Sequence, residues 1–227
     1  MSEPMRPRRG RPRSFDPEVA LRQARDAFWR AGYAGTSLEE LAEAMAMNRP
    51  SIYAAFGDKE ALYLATVQRY AQQSRDALEA TLSGPGTLRE RLCLLYEGAA
   101  AFYLQGGPEA PRGCFLVGTG LTEALLSPPV RAVLEQTFDA FTRSFARAFQ
   151  RAVATAELSA SVSPEDLAQL ATATMNTLSL RARTGAAPNM LKRLAAAAIE
   201  IICGPAPTQP RPRRNTAKRV AARIKRA

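Results

Sequence analysis

From Phe15 to Cys203 apolar residues recur at the three-and-four spacing of helices, with few β-branched runs to suggest strands. The pattern predicts about nine helices and an all-α fold. The first opens at Asp16 as N-cap with Pro17 in the first helical position, where its missing N–H costs nothing. It runs to about Ala31 with Val19, Ala24, Ala27 and Phe28 inward, and stops at Gly32. "TSLEELAEAM" opens the second: Ser37 followed three residues later by Glu40 has the form of a capping box, and Leu38, Leu41 and Met45 make the apolar stripe. Asn48 caps a third helix with Pro50 in its first turn, Gly57 ends it, and Asp58 caps a long fourth helix reaching about Leu82. "SGPG" at 83–86 is a break. Further helices are predicted at about 87–105, 114–125, 128–155, 164–184 and 188–203, separated by stretches such as "QGGPEAPRG" and "SPP". From Gly204 onward the core-building residues are gone, and the segment is predicted to be disordered unless bound. There is no internal repeat.

Two short helices, 37–45 and 49–56, joined by a tight "AMN" turn have the spacing of a helix-turn-helix. The first must be amphipathic to hold the second at a fixed angle. The second buries Ile52 and Phe56 and leaves Arg49, Ser51, Tyr53, Ala54 and Ala55 outside. Small outer residues let a backbone approach base edges in a major groove, while Arg, Ser and Tyr supply groove and phosphate contacts. An ordinary helical hairpin, with Tyr53 reaching to solvent, is the alternative.

Charge sharpens this picture. The chain carries a net +10, with no histidine and three cysteines. Residues 1–14 hold five arginines against one glutamate, and residues 204–227 hold eight Lys/Arg and no acid, so the segment between is at −2. A near-neutral body with two cationic arms points to a polyanionic partner, most often nucleic acid, with a pair of solubilising tails as the plainer reading. Residues 15–60 carry five Lys/Arg against eight Asp/Glu, so the head does not draw DNA by bulk charge and the arms matter more. The missing histidine removes His-containing triads and the commonest zinc and copper sites, and no metal site or cofactor is expected. Odd, widely spaced cysteines (Cys93, Cys114, Cys203) favour free thiols and a reducing cytoplasm. No apolar run approaches the roughly 18 residues of a membrane helix, and no apolar segment follows the basic N-terminus as in a secretory signal.

The stretch "GYAGTSLEELAEAMAMNRPSIYAAFGDKEALY" resembles the DNA-binding head of the TetR/AcrR family of bacterial transcription regulators. The matching positions are Gly32-Tyr33, Thr36-Ser37, Leu41-Ala42, Tyr53 to Phe56, and Lys59-Glu60-Ala61-Leu62, within roughly residues 15–65. The resemblance implies a non-enzymatic, omega-shaped homodimer whose heads reach successive major grooves of a palindromic operator in double-stranded DNA. It divides the chain into a basic arm (1–14), a three-helix helix-turn-helix head (15–62), a larger helical ligand-binding and dimerisation body (63–203) and a basic tail (204–227). Position by position it makes Arg49, Pro50 and Ser51 base readers, and Thr36, Ser37, Tyr53 and Lys59 phosphate contacts. Ala54 and Ala55 stand where many members carry His or a large polar residue, so base readout should concentrate at the helix start.

"RRGRPR" at 8–13 resembles an AT-hook core as well as the basic arm of many TetR-like proteins, and both readings place Arg9, Arg11 and Arg13 at the minor groove or phosphates. In the body, "PEDLAQLATATMNTLSLRARTGAAPNMLKRLAAAAIEII" reads as two apolar-faced helices rich in small residues, suited to a four-helix dimer interface or to a monomer core. Phe102, Tyr103, Phe115, Phe138, Phe141 and Phe145 either line a ligand pocket or fill the core. The absence of a charge constellation among them points to an apolar or neutral effector. In "PRGCFLVGT", Cys114 stands at a predicted helix start beside Arg112, which favours thiolate and hence oxidant or electrophile sensing; a small packing residue is the alternative. The leading expectation is a repressor released by a small-molecule or oxidant/electrophile signal. The competing one is an architectural protein that coats DNA through its tails.

Overall fold

The computed structural model describes residues 15–106 and 111–205. The described residues form nine helices and no strand: α1 Pro17–Gly35, α2 Leu38–Ala44, α3 Arg49–Phe56, α4 Lys59–Leu82, α5 Leu88–Tyr103, α6 Phe115–Thr122, α7 Pro128–Ala154, α8 Pro164–Arg183 and α9 Pro188–Cys203. Most predicted boundaries hold within a residue or two. The exceptions are α6, which is only eight residues long, and α1, where Gly32 breaks the helical backbone but a further turn carries on to Gly35.

Local chemistry sets the starts. Asp16, Asn48 and Asp58 each accept a backbone N–H of the first turn at 2.8 Å, and Ser37 and Thr87 make reciprocal capping boxes with Glu40 and Glu90. Each cap contributes about 1 kcal/mol, which matters most for α2 and α3 because helices this short are marginal alone.

Two buried cores organise the packing. The first gathers Phe28, Trp29, Leu41, Ile52, Leu62 and Tyr63, and takes in Phe115 and Leu116 of α6 with Val130 and Leu134 of α7. The second lies among α5, α7, α8 and α9 around Tyr96, Phe145, Phe149, Leu178 and Ile199. Val19, expected inward, is only half-buried; its neighbour Ala20 takes the core position. The helix α4 runs through the expected boundary at residue 62 and packs on α1, α5 and α7, so head and body share it. Phe102, Cys114 and Phe141 touch both cores and mark the seam between them.

On the surface of the body, Leu170 and Leu180 of α8 and Ile201 of α9 are exposed, as are Ala173 and Thr177 of α8 and Ala197 of α9 at helical spacing from them. No described helix is long and apolar enough to cross a membrane.

Candidate functional site

The exposed end of the head is built by α2 and α3. Ile52 is fully buried and Phe56 half-buried, its ring 5.9 Å from that of Phe15. These two residues seat α3, so its opposite side is free. Arg49, Pro50, Tyr53 and Ala54 are exposed there, Tyr53 by 49%, while Ser51 and Ala55 are half-buried at the margin. The outer face therefore offers a flat, small-residue centre, with a phenol on one side and a guanidinium at the helix start. Those are the shapes a groove-entering helix needs. Arg49 forms an ion pair with Glu39 in the first turn of α2.

Around this face the predicted contacts divide. Ser37 is exposed, with its hydroxyl engaged in the capping box; its backbone N–H and hydroxyl hold the Glu40 carboxyl below the usual range. The ammonium of Lys59 lies 4.4 Å from the centre of the Tyr33 ring, a cation–π contact that orients it at the start of α4. Thr36 departs from expectation. It is 2% exposed, and its hydroxyl donates to the Gly32 carbonyl at 2.6 Å, so it ties the α1–α2 joint together instead of facing a phosphate. Arg9, Arg11 and Arg13 lie outside the described residues, as does residue 206 onward.

A second site opens at the seam of the two cores. A cavity of about 600 Å³ lies among α1, α4, α5, α7 and α8. Of the predicted pocket residues it brings together Phe102, Tyr103, Cys114, Phe141 and Phe145. Phe115 falls on the other side of Cys114, beside a smaller hollow of about 180 Å³ under Trp29, and Phe138 lines a third hollow between α6 and α8. Sequence reasoning missed Arg25, Tyr70, Gln73, Ser74 and Met175, all of which line the large cavity. The signal available was the helical spacing of Tyr70, Gln73 and Ser74, which sets them on one face of α4. Arg25 had no such signal, and its presence contradicts the expectation of a site without charge.

The structure also corrects the reading of Cys114. It is the N-cap of α6, and the backbone N–H groups of Leu116 and Val117 favour its thiolate, as do the hydroxyls of Tyr70 and Tyr103. Burial outweighs them and pushes the thiol above its ordinary pKa. Arg112 does not help. Its guanidinium stacks on Trp29, 5.7 Å from the ring centre, and lies 3.7 Å from Asp26. Burial likewise raises Tyr70 and Tyr103, so all three groups are neutral near pH 7.

Trp29 joins the two sites. From α1 its indole N–H donates to the Arg112 carbonyl at 2.9 Å, and Arg183 of α8 donates to that carbonyl at 3.1 Å. The ring packs against Tyr70, Phe102 and Phe115, with the Arg25 guanidinium 5.6 Å from its centre. The head is thus keyed into the body beside the cavity.

Comparison with known proteins places this architecture. The sequence pattern described as "Bacterial regulatory proteins, tetR family" matches residues 20–66, and that described as "Tetracyclin repressor-like, C-terminal domain" matches residues 89–198. The HTH-type transcriptional repressor ComR of Escherichia coli (strain K12) is 28% identical over 193 residues, covering 85% of this chain and 91% of ComR. The TetR family transcriptional regulator CifR, solved as a cysteine mutant with a 26-bp double-strand operator DNA, is 34% identical and superimposes with a TM-score of 0.74, covering 84% of this chain and 98% of CifR. The reduced form of E. coli NemR shares the fold, with a TM-score of 0.73 at 24% identity. Capped helix-turn-helix, keyed helical body and both matched regions agree: the chain is a DNA-binding transcriptional regulator and belongs to the TetR family.

Proposed function

We propose that this chain is a homodimeric repressor that binds a palindromic operator through α3 and is released when a small molecule enters the body cavity. The observation that carries the reading is the outer face of α3: Arg49, Pro50 and Tyr53 around a bare alanine, held out by Ile52 alone at full burial. A relative of 34% identity solved with operator DNA supports it. Arg49, Pro50 and Ser51 read bases at the helix start, and Ser37, Tyr53 and Lys59 meet phosphates. In this assignment residues 15–62 act as the DNA-binding head and 63–203 as the ligand-binding and dimerisation body. Arg9, Arg11 and Arg13 follow the minor groove, and the basic tail adds sequence-independent affinity. Two copies join through the exposed small and apolar strip of α8 and α9. The protein works in the cytoplasm, without catalysis or cofactor.

An effector acts by changing the spacing of the two heads, so that both half-sites are no longer met together. Trp29 and Arg25 place α1 against the cavity, which gives the ligand a direct purchase on the head. The neutral Cys114 thiol favours reversible occupancy over rapid reaction with electrophiles. Selection of bound duplexes from a random library, at fixed salt, tests the proposal. It should enrich an inverted repeat with half-sites one helical turn or a multiple of it apart. No enrichment would favour the architectural reading, for which the net charges of +4 and +8 at the two ends are the supporting observation.

A further inference from the structure

The lining of the large cavity is mostly apolar, with Leu78, Leu95, Phe102, Phe141, Phe145 and Met175 among it. Tyr70, Gln73 and Ser74 follow one face of α4, Arg25 enters from α1, and Thr81, Tyr103 and Thr172 are the other hydroxyl-bearing residues of the lining. Among the described residues no aspartate or glutamate lines the cavity, and Arg25 is the one charged residue that does. Its side chain is only 17% exposed. Nε and Nη2 both donate to Oδ1 of Asp26, at 3.0 and 2.8 Å, and Nη1 has no protein acceptor among the described residues. Asp26 is shared with Arg112, so two guanidiniums have one carboxylate between them.

We propose that this cavity takes a small organic monoanion, a carboxylate on an apolar acyl or aryl body, with Arg25 as the partner of its head group. A guanidinium with donors left over in an apolar surround recognises a planar two-oxygen anion well, and a neutral apolar ligand would strip water from those donors and give nothing back. Asp26 offsets one of the two guanidiniums it is shared between, and the one positive charge left over suits a monoanion better than a phosphate dianion. The apolar part of the lining then receives the body of the ligand against Phe141 and Phe145. This deepens the effector-site reading above and rests on it. It adds that the ligand is held by the DNA-binding head itself, because Arg25 belongs to α1.

The test uses the full chain and paired probes: octanoate and 3-phenylpropanoate against their primary amides, by titration calorimetry and by the fluorescence of Trp29, the only tryptophan. Wild-type protein should bind each carboxylate at least tenfold more tightly than its amide. Arg25→Gln should erase the preference, and Arg25→Lys should keep part of it, which guards against a variant that merely unfolds. Operator affinity is measured with the same probes. Equal binding of acid and amide, or no carboxylate binding at millimolar concentration, overturns the anion assignment; release of operator by the amide would leave the effector-site reading intact. Arg25-dependent carboxylate binding without operator release would uphold the assignment and defeat the effector-site reading instead.

Discussion

Gly113 and Gly185 share a left-handed backbone, with φ of +63° and +80°, but differ in what surrounds them, so replacing each by alanine separates backbone strain from packing. Holding an L residue there costs about 1–2 kcal/mol in either place. At Gly185 a new Cβ meets nothing within 4 Å, and the cost ends there. At Gly113 it would stand 3.0 Å from the Ser179 carbonyl oxygen and 3.1 Å from Cβ of Arg183. Neither atom is the free end of a side chain, so α8 or the segment before Cys114 must shift. Overpacking of this kind adds about 1–3 kcal/mol. Gly185→Ala should therefore cost about 1–2 kcal/mol and Gly113→Ala about 2–5. At roughly 2–4 °C per kcal/mol for a chain of this size, the second variant should melt several degrees below the first in scanning calorimetry. The displaced segment also carries the Arg112 carbonyl that binds Trp29 and Arg183, so Gly113→Ala should alter Trp29 fluorescence and Gly185→Ala should not. Equal melting shifts would refute the packing argument, and an unchanged emission would refute the link to the head.

Three further outcomes follow from named groups. Ala54→Asp places a carboxylate on the bare face of α3; operator affinity should drop about tenfold or more while stability moves by less than about 1 kcal/mol, measured by fluorescence anisotropy and thermal melting. Cys114 should be alkylated by iodoacetamide more slowly than a small free thiol at pH 7.5. Because its folded pKa is raised, its contribution to stability is full below the ordinary thiol pKa and lost as pH rises through the folded value; a faster-than-free reaction would contradict the burial argument. Glu79 is held below its ordinary pKa first by the Ser144 hydroxyl and then by Arg147, so its contribution is present above about pH 4.5 and lost as pH falls through the lowered folded value. Glu79→Gln should flatten the acid limb of the stability curve by under about 1 kcal/mol, since the pair is half-exposed. An unchanged limb would show that the contacts of Glu79 with Ser144 and Arg147 contribute nothing.

What was legible in the sequence was local. Asp16, Ser37, Asn48 and Asp58 announce helix starts because a cap is made within three residues, and the inner face of α3 shows in the spacing of Ile52 and Phe56. What was not legible depends on elements distant in the chain. Cys114 has the local signs of a thiolate, but its pKa is set first by burial at the seam of the two cores, which elements distant in the chain create. Thr36 looked like an exposed helix start until the turn at Gly32 folded its hydroxyl back. Arg25 is one of several arginines on α1, and only the assembly of five helices makes it the charged wall of a cavity. The dimer strip sits between: its small residues are plain in the sequence, but their exposure on α8 and α9 is a property of the packed body.

The central claim is sequence-specific DNA binding by the head. Its most direct test is the equilibrium affinity of the full chain for DNA immediately upstream of its own gene against a scrambled duplex of equal length, at near-physiological salt. The expected preference is about a thousandfold or more, reduced at least about tenfold in Ala54→Asp. Affinities within tenfold of each other, falling together steeply with salt, would contradict it and leave the basic tails as the source of binding.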